Sequence, residues 1–189
     1  MKVYEITQGT PQWHQWRSQR IGASEAGSIL NLNPYRSCQS VWEEKVLGWE
    51  VPATQKMLDG QKNEILAREA YQELTKTLVK PLVAECEKIS YIAASFDGVS
   101  ECRKKIVEIK CGKMSHKLAR SGLIPPYYFA QCSHQLYVSD LDEMDYFSWY
   151  DGEGIIIPVK RDENFIIEMM KKYEKFWKCI TTGVWNEII

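Results

Sequence analysis

Ser95-Phe96-Asp97-Gly98, followed eleven residues after the aspartate by Val107-Glu108-Ile109-Lys110, is the stretch from which this chain is read. In an extended strand successive side chains point to opposite faces, so Glu108 and Lys110 share one face and Val107 and Ile109 the other. The apolar pair can seat the strand in a core while the charged pair looks into a cleft. Asp97 ends an apolar run that begins at Ile89-Ser90-Tyr91-Ile92-Ala93-Ala94, and Gly98 is read as the start of a turn. A hairpin through Glu101 to Lys105 would return Asp97 beside Glu108. Two carboxylates so placed repel, and a hard cation such as Mg2+ relieves that repulsion. The same acid-x-lysine pattern also arises on exposed charged strand edges, so spacing alone does not decide between chemistry and a solvated edge.

Composition bounds the class. A chain of 189 residues fits one domain over 1–189, able to bury roughly 70% of its unfolded surface. Its 44% hydrophobic content excludes a disordered chain. No apolar run approaches the roughly 20 residues needed to span a bilayer. Met1 to Gln8 has no basic segment leading into an apolar stretch, so no secretory signal is expected. Cys38, Cys86, Cys102, Cys111, Cys132 and Cys179 are scattered without a C-x-x-C pair, which fits reduced thiols in a cytoplasmic setting. With 24 basic and 25 acidic residues the formal charge is -1, so a nucleic-acid surface would have to be local.

Periodicity and turn chemistry predict helices over Trp13–Arg20, from Ala23-Ser24-Glu25 with Ser24 as cap, over Ser40–Leu47, and over Thr54–Thr75. In the last of these, Leu58, Ile65, Leu66, Ala70 and Leu74 carry the helical period. Asn31 to Tyr35 reads as a turn. Two or three strands follow between Val79 and Lys110, then a helix over Tyr127–Val138 introduced by Pro125-Pro126. A hairpin of Asp145–Tyr150 with Gly154–Val159 and a closing helix over Asp162–Thr182 complete the chain. The expected class is α/β (α+β), a mixed central β-sheet flanked by helices. Glu64 shares a helix face with Gly60, Ala67 and Tyr71, where it can reach inward or simply be solvated. Tyr128, Gln131 and Gln135 share another helix face. His14, His116 and His134 have no partners at metal-ligand spacing and read as packing or surface residues.

Taken in order, Trp13-His14-Gln15-Trp16-Arg17, Gly22-Ala23-Ser24-Glu25, Gly60-x-x-x-Glu64, Ser95-Phe96-Asp97-Gly98, Glu108-Ile109-Lys110 and Tyr128-x-x-Gln131 resemble the phage lambda exonuclease and YqaJ-like viral recombinase family of PD-(D/E)XK nucleases. The resemblance runs from about Gln8 to Val138. It implies a restriction-endonuclease-like core and a metal-dependent 5′→3′ exonuclease acting on double-stranded DNA ends, with Mg2+ (two ions, or Mn2+) as cofactor. By the same resemblance Asp97, Glu108 and the Ile109 carbonyl are metal ligands, Lys110 orients the attacking water, and Glu64 and Gln131 hold the water shell. Whether Lys110 acts as base or as charge stabiliser stays open. Arg17, Ser24 and Ser95 match a pocket for the 5′-terminal phosphate. Leu58 falls near an apolar wedge, and Tyr128 and Arg36 are placed among DNA-facing residues. Where the family usually has a proline before the aspartate, this chain has Phe96. A trimeric ring and a single-strand annealing protein are the implied partners, with no membrane role.

A closed ring would reconcile a neutral chain with DNA, since a few cations per subunit gather around one channel. Arg36, Lys45, Lys62, Arg68, Lys113, Lys117 and Arg120 are the candidates. The competing readings are a structure-specific endonuclease of the same fold and a non-catalytic DNA-binding scaffold. Iron–sulfur relatives need four cysteines around the core, and only Cys132 and Cys179 follow it here.

Overall fold

Three helices start where a side chain satisfies a free amide of the first turn. The computed structural model describes residues 1–49 and 55–186, and side chains at 55–59 and 61 are excepted. Helix α1 (Pro11–Ser18) is capped by Thr10, whose hydroxyl accepts from the Trp13 amide, and has proline in its first turn. Ser37 caps α3 (Cys38–Leu47) and Asp162 caps α7 (Glu163–Thr182) in the same way. Helix α6 (Pro126–Ser139) opens on the expected proline pair. Between α1 and α3 the chain forms a short strand β2 (Ile21–Gly22), a 3-10 turn over Ala23–Glu25 and a single-turn helix α2 (Ala26–Ile29). The expected Ser24 cap is therefore corrected. Ser24 lies inside the turn, and its hydroxyl accepts from Arg17.

The remaining strands are β1 (Lys2–Tyr4), β3 (Val79–Glu85), β4 (Ile92–Ser100), β5 (Ile106–Cys111), β6 (Glu143–Tyr150) and β7 (Glu153–Lys160). They form a mixed sheet in the order β1-β3-β4-β5-β6-β7, with β2 attached to β4. The parallel β5–β6 pair is joined through α5 (Lys113–Ala119) and α6, as a crossover requires. Two irregularities in β4 matter. First, β3 takes one edge of β4, while β2 pairs with its start (Ile92, Ala93) and β5 with its end (Gly98, Val99). Between them the sheet splits beside Ala94–Asp97. Second, Leu82 pairs with Phe96 but Lys80 with Val99, so Asp97 and Gly98 together face the single Pro81. This is a β-bulge, which redirects side chains and is common beside active sites. Gly98 thus sits inside a strand, and the turn it was expected to begin comes later, over Glu101–Lys104. Its glycine is needed because a Cβ would lie 2.7 Å from both Val107 Cγ1 and Val79 Cγ2.

Val107 and Ile109 pack with Ala67, Tyr71, Val79 and Phe147 under helix α4 (Gln55–Thr75). The larger core forms around α2, α3, α6 and α7. Helix α4 departs from its periodic reading, because Ile65, Leu66 and Leu74 are all more than half exposed and the helix seats itself through Ala67 and Tyr71. The Tyr71 hydroxyl donates to Asp145 at 2.6 Å, which anchors the helix across the sheet. Among the described residues no helix is long and apolar enough to cross a membrane.

Candidate active site

The strand alternation read from Val107–Lys110 holds. Glu108 is buried on the face opposite Val107 and Ile109, with Lys110 beside it as an ion-pair partner. Helix α6 brings two amides to the same carboxylate: Gln131 donates to Oε1 at 2.6 Å and Gln135 to Oε2 at 2.5 Å. Tyr128, one turn earlier, lays its ring 4.7 Å from the Lys110 ammonium. The bulge aims Asp97 at the next strand, where its Oδ2 accepts the Ile109 amide at 2.8 Å. Glu64 of α4 pairs with Arg68, which also donates to the Asp97 carbonyl at 2.7 Å.

These acids cost free energy where they stand. Burial, then the charge of Glu108, pushes the Asp97 carboxyl well above its usual range against the pull of Lys110. Glu64 is likewise raised by burial, with Arg68 opposing and Glu108 adding to the shift. For Lys110, burial acts downward but the pull of Glu108, Tyr128 and Asp97 outweighs it, so the ammonium form is favoured. Among the described residues no group of three or more His, Cys, Asp or Glu side chains is arranged to hold a metal ion. Each acid of the site already has a partner within the protein. Glu108 is engaged by Gln131, Gln135 and Lys110, Asp97 by the Ile109 amide, and Glu64 by Arg68. The donor set is nonetheless all oxygen and anionic, the chemistry that suits a hard divalent cation, and such a cation would relieve the repulsion that raises Asp97 and Glu64.

A second group lies along the split in the sheet. Arg17 donates to the Ser24 hydroxyl at 2.7 Å and lies 3.4 Å from Glu25. Its guanidinium sits 5.1 Å from the Trp13 ring, and Trp13 Nε1 donates to the Ser95 hydroxyl at 2.8 Å. Arg17, Ser24 and Ser95 are thus gathered by Trp13, which spacing alone did not single out. Ser95 and Asp97 are two residues apart on one strand.

Other candidates are placed differently. Arg36 is clamped by Glu44, with contacts of 3.0 and 2.5 Å, and makes no described contact with the Arg17 group. The Leu58 side chain lies outside the described residues. Of the basic residues proposed to line a channel, Lys45 is withdrawn, because its side chain is 4% exposed and bound to Glu25 at 3.0 Å. Arg68 and Arg120 are engaged by Glu64 and Glu153. Gln135 belongs at the site as much as Gln131 does, and its helix spacing from Gln131 was the available signal. His134 is a packing residue, as expected. Its Nε2 donates to the Ala93 carbonyl at 2.9 Å, so Nδ1 accepts from the Tyr173 hydroxyl at 2.7 Å.

A sheet split between the strand bearing Asp97 and the strand bearing Glu108-x-Lys110, with helices on both faces, is a PD-(D/E)XK-like fold. Residues 12–142 match the YqaJ-like viral recombinase domain, and the chain belongs to that family. The alkaline exonuclease LHK-Exo from Laribacter hongkongensis is similar in structure, with a TM-score of 0.81, 21% identity, and coverage of 92% of this chain and 94% of that one. The same protein in complex with dAMP superposes equally well. A phage-related exonuclease from Haemophilus somnus 129PT aligns with a TM-score of 0.64 at 12% identity, covering 87% of this chain and 96% of that one. No curated protein matches the chain in sequence.

Proposed function

We propose that this chain is a metal-dependent 5′→3′ exonuclease that digests one strand of double-stranded DNA from its end, supplying single strands for recombination by annealing. The observation that carries the reading is the placement of Asp97, Glu108 and Lys110 at one end of the sheet split, with Arg17, Ser24 and Ser95 further along the same gap. Successive same-face residues of a strand lie about 6–7 Å apart. The Ser95-to-Asp97 step is therefore on the scale of one nucleotide between neighbouring backbone phosphates. A terminal phosphate held at Ser95 and Arg17 sets the next linkage beside Asp97, which gives mononucleotide products.

Asp97, Glu108 and the Ile109 carbonyl would hold Mg2+, with Glu64 as an outer partner. When bound, the ion supplies Lewis-acid charge that activates water and stabilises charge developing on the phosphate and the leaving 3′ oxygen. The residues of the chain do the positioning. Lys110 orients the attacking water and opposes negative charge on the scissile phosphate. Gln131 and Gln135 fix the Glu108 carboxylate, and Tyr128 covers the lysine. Arg17 offers a planar fork suited to a phosphate monoester.

The test is digestion in Mg2+ of a linear duplex with a 5′ phosphate, the same duplex with a 5′ hydroxyl, and a closed circle. Phosphorylated linear DNA is expected to fall to mononucleotides fastest while the circle stays intact. Cutting of the circle would overturn the exonuclease reading in favour of an endonuclease.

A further inference from the structure

We infer that Glu25 and Lys45 form a buried pair that aims Arg17 at a terminal phosphate monoester, which makes both of them positioning residues for end selection. The inference rests on the exonuclease reading above. A carboxylate beside an anion pocket repels the anion, so its presence there calls for a reason. Both side chains are 4% exposed, whereas Arg17 in front of them is 28% exposed.

Glu25 uses its oxygens fully: Oε1 faces Arg17 Nη2 at 3.4 Å, while Oε2 accepts the Gly22 amide at 2.9 Å and meets Lys45 Nζ at 3.0 Å. Lys45 cancels the carboxylate charge, which leaves the guanidinium as the uncompensated charge of the cluster. The same ammonium donates to the carbonyl of Arg20 at 2.5 Å and to that of Arg17 at 3.4 Å, locking the end of α1 that carries the arginine. Burial alone would push the Glu25 carboxyl up, but Lys45 and then Arg17 hold it below its ordinary value, so it stays ionised.

The consequence for Arg17 is orientation. Both of its described hydrogen bonds leave from Nη2, so Nη1 and Nε have no partner among the described residues. The Trp13 ring closes one side, and Gly22 allows the close approach, since a Cβ there would lie 3.3 Å from Arg17 Nε. An arginine fixed through Nη2 keeps its Nε–H and Nη1–H groups available to phosphate oxygens, with little rotamer freedom left to lose on binding.

The experiment measures affinity for duplexes of one sequence ending in a 5′ phosphate or a 5′ hydroxyl, by fluorescence anisotropy in a Lys110→Ala background that cannot consume the DNA. The double variant Glu25→Gln/Lys45→Met removes both charges together, so that neither is left buried without its partner. Its ratio of phosphate to hydroxyl affinity is expected to fall about tenfold, the scale of one charge-assisted contact. The loss should come from the phosphorylated end. Glu25→Asp keeps a partner for Lys45 but draws the carboxylate back from Arg17, and it should lower the same ratio even if the double variant fails to fold. A folded variant that retains the full ratio would overturn the inference. So would a Lys110→Ala parent indifferent to the phosphate, although the closed-circle result would still stand for the exonuclease reading.

Discussion

Lys110 sits where three kinds of contact meet: an ion pair with Glu108, the face of the Tyr128 ring, and a neighbouring Asp97. Replacing it with alanine is expected to abolish hydrolysis while DNA ends still bind. A burst assay and a binding isotherm on the same preparation check this, and turnover near wild type would mean the lysine is misassigned. Gly98 makes a different kind of prediction. Its Cβ position is blocked by Val107 and Val79, so Gly98→Ala should cost about 1–3 kcal/mol by overpacking. On a chain of this size that lowers the thermal midpoint by several degrees, which calorimetry reads. Much of the residue-level placement was legible in the sequence, because strand alternation places Glu108 and Lys110 on one face without any tertiary knowledge. The bulge was not legible. It depends on Pro81 of a different strand facing two residues at once, and nothing local to Asp97-Gly98 encodes that partner.

At the scale of elements, helix α6 joins site to core. Gln131 and Gln135 reach Glu108, while the neighbouring His134 holds the Ala93 carbonyl and the Tyr173 hydroxyl. Burial pushes His134 down to about 4, with the Ala93 bond and Glu25 only partly opposing it. An unfolded histidine takes its proton near 6.5. Between those values the unfolded chain binds more protons, so this contribution is complete above about pH 6.5 and shrinks as pH falls toward 4, by ~3 kcal/mol at most. Denaturant midpoints from pH 7 to 4.5 should therefore fall less steeply for His134→Asn than for the parent. Equal slopes would show that the buried imidazole is not the group responsible. Helix α7 gives a simpler case. Asp162→Ala removes its cap and should cost about 1 kcal/mol in an equilibrium unfolding curve. Periodicity and the Pro125-Pro126 pair made the longer helices readable, whereas the expected Ser24 cap did not form. Helix α4 misled on its buried face, because a small alanine and a hydrogen-bonded tyrosine seat it while larger aliphatic residues stay outside.

For the whole molecule, the proposed action on DNA requires a near-neutral chain to concentrate its free cations in one place. Several cations are already spent on internal partners: Lys45 on Glu25, Arg36 on Glu44, Arg68 on Glu64 and Arg120 on Glu153. Lys113 and Lys117 of α5 have no ion pair among the described residues, and they follow the Glu108–Lys110 strand directly. Phosphate tracking through so few contacts predicts that activity on linear duplex declines as salt rises from low to moderate concentration. A flat profile would count against it. The exposed Ile65, Leu66 and Leu74 of α4, with Leu78 at 77% exposure, give a proposed ring something apolar to bury. Light scattering is expected to report the mass of three chains, and a stable monomer would remove the ring from the proposal.

The two-against-one pairing at Pro81 also bears on how the chain tolerates insertions and deletions. Excising Gly98 would put β3 and β4 back into even step, and every side chain beyond the excision would then swap between the layer under α4 and the layer under α6. Val99 would leave the larger core for the Gly98 position, where Val107 and Val79 already fill the space, and the carboxylate before it would lose its aim toward Ile109. A length change that a surface loop absorbs without effect would here exchange the two sides of the protein.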